Sequence, residues 1–197
     1  MQTPVTNGKL PHVYHFDSKA LVEDYVRQLG TPATFLMPGF FMANLPGGMI
    51  RQLPPNNDWT LALPVPEDAP FPVFDAAADT GKWVKAIVLQ REKLLGRQVY
   101  AATAYLTPLE IIAGFKKAFP QAGATASFSS TSHEQFLGGL TGNGMPEFAA
   151  VEMLENMRLM AEGGYFGGKD LSLDILEDKP TTWEEHLKKN PATKDLQ

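Results

Sequence analysis

Six prolines fall between residues 54 and 72, at Pro54, Pro55, Pro64, Pro66, Pro70 and Pro72. Proline has no N–H to give to a sheet ladder, so a run this dense belongs to edge strands and irregular chain. The stretch predicts one short strand, residues 59–63, outside any core sheet. Regular structure is expected on either side of it. On the N-terminal side, residues 33–37 (ATFLM) form the short apolar run of a buried strand. It ends at Pro38-Gly39, followed by an apolar, loop-like Phe40-Phe41-Met42-Ala43-Asn44. Further upstream, Asp17 stands where a helix N-cap belongs. Behind it Leu21, Val22, Tyr25, Val26 and Leu29 share one helical face, with Glu23, Asp24 and Arg27 opposite and Gly30 as the stop.

On the C-terminal side, Asp79 or Thr80 is placed to cap a helix whose Trp83, Val84, Ile87 and Val88 make an apolar face. Gly96 closes it, and residues 97–102 (RQVYAA) read as another strand. Thr107-Pro108-Leu109-Glu110 combines a cap, a proline at the first helical position and a glutamate that completes a capping box. Ile111, Ile112, Phe115 and Phe119 line the buried side of that helix, and residues 125–128 form a weaker strand. A longer helix over residues 146–162 carries Phe148, Val151, Leu154 and Met157 on one stripe. Met153, Met157 and Met160 share its spacing, which methionine most often adopts as core filler. The cluster Gly138-Gly139-Leu140-Thr141-Gly142-Asn143-Gly144 lacks both phosphate-loop spacings and reads as a flexible loop. Thr181-Thr182-Trp183-Glu184 is a second capping box and opens the last helix.

At 197 residues with 44% apolar side chains, the chain can bury a real core. Its 17 basic and 22 acidic residues leave a net charge of −5. That balance argues against nucleic acid or an anionic membrane as a direct partner, since both select a basic face. With no cysteine, disulfides, thiolate zinc sites and cysteine nucleophiles are excluded. No apolar run reaches the roughly 18–20 residues of a membrane span, and the first residues do not resemble a signal peptide. The cytoplasm or nucleus is the expected location.

His15 and Lys19 hold the most suggestive chemistry. They are four apart, stacked on one face if the helix extends back one turn. Short-chain dehydrogenases place a lysine at this spacing from a tyrosine, the lysine holding the cofactor ribose and lowering the pKa of the tyrosine. Here histidine fills the tyrosine slot and Tyr14 is one residue out of register. The same residues also fit a capped helix start with a solvated lysine. Pro38-Gly39-Phe40-Phe41, directly after a strand, lies where an open α/β sheet meets its ligand, or makes a plain hydrophobic turn. His12 and His15, at i and i+3, lack a third ligand in the sequence and make no metal site.

Taken in chain order, His15–Lys19, Thr31-Pro32-Ala33-Thr34-Phe35, Pro38 to Asn44, Asp79-Thr80-Gly81-Lys82-Trp83-Val84, Tyr105 to Glu110, Gly163-Gly164-Tyr165-Phe166-Gly167-Gly168 and Thr181-Thr182-Trp183-Glu184-Glu185 resemble the NmrA-like family. These are atypical short-chain dehydrogenases, known as fungal regulators of nitrogen metabolite repression and as NADP sensors. The resemblance implies an α/β fold: an incomplete doubly wound (Rossmann-like) parallel sheet with a mostly helical C-terminal subdomain. Residues 1–50 would be the remaining Rossmann-like helix, strand and loop, and residues 51–197 the substrate-side subdomain. Family members open with a strand, a glycine-rich turn and a helix, and these units, on the order of 100 residues, are not in this sequence. The resemblance implies that Lys19 contacts the nicotinamide ribose of NADP or NAD. It also implies that Pro38, Gly39, Phe40, Phe41, Met42, Ala43 and Asn44 form the loop at the nicotinamide end. His15 would be the residue in the proton-shuttle position. Dinucleotide binding by this chain alone is expected to be weak or absent. The implied function is a non-catalytic NAD(P)-sensing regulator that contacts a transcription factor or another protein. The alternatives are an NAD(P)H-dependent reductase of a small carbonyl or quinone, and a fragment without independent function. Self-association through an exposed sheet edge is also expected.

Overall fold

The computed structural model describes residues 6–196. In chain order the elements are α1 (Tyr14–Gln28), β1 (Phe35–Pro38), β2 (Phe40–Phe41), a 3-10 turn (Met42–Asn44), β3 (Ile50–Leu53), β4 (Asp58–Leu63), β5 (Phe71–Phe74), α2 (Ala76–Leu89), α3 (Arg91–Leu94), β6 (Gln98–Ala101), β7 (Ala104–Leu106), α4 (Pro108–Ala118), β8 (Ser127–Ser130), α5 (His133–Gly142), α6 (Glu147–Glu162) and α7 (Trp183–Lys189). The fold is mixed α/β, with parallel pairs β1–β6, β2–β5 and β4–β8 and a mostly helical C-terminal region.

The proline-rich stretch supplies the middle strand of two sheets, which corrects the expectation of edge structure. β5 lies between β2 and β7, and β4 between β3 and β8. Pro72 is tolerated in β5 for a geometric reason. The Thr103 N–H donates to the Val73 carbonyl, so Val73 turns its backbone toward β7. Alternation then turns Pro72 the other way, toward Gly39, one residue before β2 begins. The missing N–H therefore costs no rung. The same approach explains Gly39: a Cβ there would sit 2.2 Å from the Pro72 carbonyl oxygen and 3.1 Å from the Ala102 Cβ. The Pro-Gly turn is fixed by strand packing, and it sets the direction of the next five residues. Phe40-Phe41 forms β2 and Met42–Asn44 the 3-10 turn, so this segment is regular structure with Phe40 and Met42 buried in the main core. Phe40 meets Phe71 edge to face, centroids 5.3 Å apart, an arrangement worth about 0.5–1.5 kcal/mol beyond its buried area.

Helix α1 departs most from its sequence pattern. Its N-cap is Val13, with Asp17 inside the first turn, so Asp17 is not the cap. Its packed face carries Ala20 and Glu23, while Leu21, Val22, Tyr25 and Leu29 are exposed, Leu21 to 68% and Tyr25 to 61%. The inward face is chosen by polar bonds. Glu23 takes hydrogen bonds from Gln98 Nε2 and from Arg27, and Arg27 also donates to the Gly96 carbonyl and lies over the Phe35 ring. Among the described residues β1 pairs only with β6, so its other edge is unpaired.

Helix α2 is capped by Asp75, whose carboxylate accepts the Ala78 N–H; Asp79 lies one turn inside it, and neither Asp79 nor Thr80 is the cap. Asp79 is 0% exposed. It accepts the Thr181 N–H and Oγ1–H at 2.8 Å each and pairs with Lys82 Nζ at 2.7 Å, tying α2 to the segment before α7. The capping box of α7 is Thr182 with Glu185, one residue later than the sequence suggests, because Thr181 is committed to Asp79. The Thr107–Glu110 box opens α4 as expected. The glycine cluster at 138–144 begins inside helix α5, with Ser132 and Gln135 as its capping box, and is not a loop. In the 163–168 turn, Gly164, Gly167 and Gly168 have φ of +74°, +61° and +75°, which leaves Phe166 packed on Tyr100 and Tyr165 edge-on to Phe16 of α1.

Candidate functional site

The start of α1, the turn after β2 and helix α6 converge. On one stripe of α6, Glu152 and Glu155 reach the start of α1. Glu155 accepts the His12 N–H at 2.6 Å and its ring Nδ1 at 2.7 Å. Glu152 accepts the His15 N–H at 2.8 Å and its ring Nδ1 at 2.6 Å. A carboxylate from another helix, Glu152, thus caps α1 at the His15 N–H in place of a side chain of its own, while Glu155 holds the residue just before the cap. Burial pushes the Glu152 carboxyl up. The His15 ring, its N–H and its charge outweigh that and hold the group below its usual value. Since the carboxylate only accepts, Nδ1 of His15 carries the proton and Nε2 is the ring's remaining nitrogen. His15 and Lys19 are both helical, so they stack one turn apart on α1, and both are exposed.

On its next stripe α6 presents Met153, Asn156 and Met157 to the turn. With Phe40, Ala43, Asn44, Gly48 and Met49 these enclose an open cleft of about 470 Å³. Met157 and Met160 belong to the core, while Met153 and Met157 also form cleft wall, so the methionine stripe is not filler throughout. Asn156 Oδ1 is shut from solvent and has no hydrogen-bond partner.

Of the loop residues that the sequence marks, Gly39, Phe40 and Met42 are buried, whereas Pro38, Phe41, Ala43 and Asn44 are exposed. Phe40, Ala43 and Asn44 line the cleft, and Phe41 lies against Phe74. Glu152, Glu155 and Asn156 are site residues that the sequence reading misses, and Met153 is one it reads as core filler. The glutamates have a signal: their i, i+3 spacing matches that of His12 and His15. Asn156 has none. Among the described residues no group of three or more His, Asp or Glu side chains is arranged to hold a metal.

A model of the NmrA-like family matches residues 1–187. The chain belongs to the NmrA-like family. It is 34% identical over 117 residues to the nitrogen metabolite repression protein nmr of Neurospora crassa, covering 56% of this chain and 24% of that protein. It is 32% identical over 116 residues to nmrA of Emericella nidulans, covering 56% of this chain and 33% of that protein. Its fold is similar to that of NmrA, a negative transcriptional regulator, in complex with NADP. There the TM-score is 0.63 at 21% identity over 89% of this chain and 56% of that one. It is also similar to the leucoanthocyanidin reductase–NADPH complex of Vitis vinifera, with a TM-score of 0.64 at 14% identity over 94% of this chain and 62% of that one. This NmrA-like chain thus spans about a quarter to a third of those curated relatives and just over half of these solved ones.

NmrA is solved in complex with NADP and with NAD, and the groups of this chain that remain open at the corresponding loop and helix are few. The Lys19 side chain makes no hydrogen bond or ion pair among the described residues, and Phe41, Ala43 and Asn44 are exposed. A pyrophosphate does not fit. It binds at a free helix N-terminus, and here those ends are taken: α1 by Glu152, α2 by Asp75, α4 by Thr107, α5 by Ser132 and α7 by Thr182. Helix α6 and the single-turn α3 start with carboxylates, Glu147 and Glu92, in their first turns, charges that repel phosphate.

Proposed function

We propose that this chain is the nicotinamide-side part of a non-catalytic, NAD(P)-sensing regulator that acts through contact with a transcription factor or another protein. The observation that carries the reading is the commitment of His15. The residue in the proton-shuttle position spends both its N–H and its ring Nδ1 on Glu152, as part of the clasp that holds α1 to α6. Lys19, Pro38, Gly39, Phe40, Phe41, Met42, Ala43 and Asn44 remain the residues assigned to the cofactor, with Gly39, Phe40 and Met42 shaping the loop from within. Residues 1–50 supply the nicotinamide side and residues 51–197 the ligand side. Similarity to nitrogen metabolite repression proteins and a net charge of −5 favour a protein partner over nucleic acid. No helix among the described residues is long and apolar enough to cross a membrane, and we place the protein in the cytoplasm or nucleus. The exposed apolar face of α1 and the open edge of β1 support self-association.

A second reading, an NAD(P)H-dependent reductase of a small carbonyl or quinone, is favoured by one feature. Glu152 orients the His15 ring through Nδ1, one turn from Lys19, and leaves Nε2 outside that bond. NADPH consumption against a panel of aldehydes, ketones and quinones separates the two. The regulator reading expects none. Turnover by the wild type that disappears in Lys19→Ala overturns it in favour of the reductase.

A further inference from the structure

Helices α5 and α6 pack together with an open groove of about 450 Å³ between them. Leu137, Gly138 and Thr141 line it from α5, Glu147 and Val151 from α6, and Met145 from the turn that joins the two. No residue of α5 is buried, and Phe148, one turn before Val151, is 71% exposed. Glycine weakens a helix interior, yet packing within the fold does not call for it on α5. A Cβ at Gly138 or Gly142 would meet no atom within 4 Å. What bare backbone gains there is a wall that another helix can approach closely. The groove is also acidic. No lysine or arginine occurs from residue 118 to 157, whereas Glu134 lies one turn before Leu137 and Gly138, and Glu147 opens the α6 wall. Both carboxylates are exposed, and their side chains make no hydrogen bond or ion pair among the described residues. Glu152 and Glu155 differ from them in being spent on His15 and His12. Helix α5 ends at Gly142, and its C-terminus adds partial negative charge beside the turn.

We propose that the α5–α6 groove docks a short amphipathic helix of a partner protein, apolar on the face that enters and carrying lysine or arginine around it. A groove between two helices takes such a segment through anchors one turn apart. Leu137, Met145 and Val151 supply the apolar floor for those anchors, and Glu134 and Glu147 face the cations. The inference rests on the regulator reading, and it adds the surface of contact and the chemistry of the partner segment.

The test uses the full chain, without dinucleotide, and two dye-labelled probes. One is a short amphipathic helix of leucine and lysine, and the other is the same peptide with glutamate in place of every lysine. Fluorescence anisotropy is expected to show the lysine probe binding at least about tenfold tighter, by an amount that shrinks as salt is added. In the double variant Glu134→Lys with Glu147→Lys its affinity falls about tenfold or more, because each reversal turns an attraction into a repulsion. Gly138→Leu places a side chain in the groove where the fold leaves room for it. Binding is then lost while the melting temperature holds or rises, leucine being the better helix former. Equal binding of the two probes, binding that survives either variant, or no binding of the lysine probe would each overturn the proposal. A lower melting temperature of Gly138→Leu would also do so, by making the glycine a structural need. So would a change in its self-association by sedimentation, which would give the groove to a second copy of this chain. Turnover of NADPH against the carbonyl and quinone panel sinks the regulator reading and leaves these outcomes unchanged, and failure of the peptide assay leaves the panel result unchanged.

Discussion

Replacing Asp79 by alanine is expected to remove one of the main ties between the middle of the chain and its C-terminal helix. In the folded protein its carboxylate takes the Thr181 N–H and Oγ1–H, both at 2.8 Å, and pairs with Lys82 at 2.7 Å. Asp79 is wholly buried and Thr181 nearly so, so water cannot replace what is lost. Each orphaned buried donor costs about 1–3 kcal/mol. Lys82 keeps one hydrogen bond, to the Lys179 carbonyl at 2.8 Å, which limits the cost on its side. Breaking a buried charged pair by removing one partner costs about 3–5 kcal/mol, and we expect Asp79→Ala to fall in that range. Against a total stability of roughly 5–15 kcal/mol for a chain of this kind, the variant is severely weakened. Urea unfolding measures it, with the midpoint moving down and the slope unchanged. Asp79→Asn retains an acceptor for Thr181 and should lose about half as much. In a double-mutant cycle, Thr181→Val on the Asp79→Ala background should recover at least about 1 kcal/mol of the summed single losses. A loss under about 1 kcal/mol in Asp79→Ala, or strict additivity in the cycle, refutes the reasoning.

Other outcomes rest on single contacts. Gly39→Ala forces a Cβ to within 2.2 Å of the Pro72 carbonyl, so β2 and β5 must part, at a cost of about 1–3 kcal/mol in the same urea assay. The Glu152 carboxyl is held below its usual 4.5 by His15. The stability it contributes is therefore present above that value and lost as pH falls through the lower folded one; Glu152→Gln should flatten this part of the acid unfolding curve. Burial pushes the Tyr165 phenol up to about 12. The unfolded chain then releases this proton near 10 while the folded one keeps it, so stability falls as pH rises between those values. An ultraviolet titration in which Tyr165→Phe removes the last tyrosine step checks it. Sedimentation should show concentration-dependent association that Leu21→Lys with Tyr25→Lys abolishes, because both residues lie on the exposed face of α1.

Local signals were legible. The Thr107–Glu110 box, the strands near residues 35 and 99, and the long helix ending at Glu162 could be read because each rests on neighbours within a turn or two. What escaped was set across the chain. Glu152 caps α1 from 137 residues away and Glu155 holds the residue before the cap from 143 away, which leaves Asp17 without the capping role its neighbours suggest. Asp79 and Thr181 meet over 102 residues, which moves both expected caps by a few positions. The apolar stripe of α1 suggests its buried side, but Gln98 and Arg27 draw Glu23 inward instead. Pro72 fits a middle strand only because Gly39 faces it, a fact of register that composition cannot show. The resemblance drawn from the motifs and the α/β class agree with the family match and the fold. The cleft was half legible: its loop was marked, while Asn156 carried no pattern to find.

The most direct test of the central claim, that this chain receives a dinucleotide only by its nicotinamide end, is saturation-transfer NMR with NADP⁺ and NAD⁺ on the wild type and on Lys19→Ala. The account predicts weak transfer to the nicotinamide and adjoining ribose protons, little to adenine, and loss of the signal in the variant. Equal or stronger transfer to adenine, an unchanged signal in Lys19→Ala, or no transfer at all would contradict it.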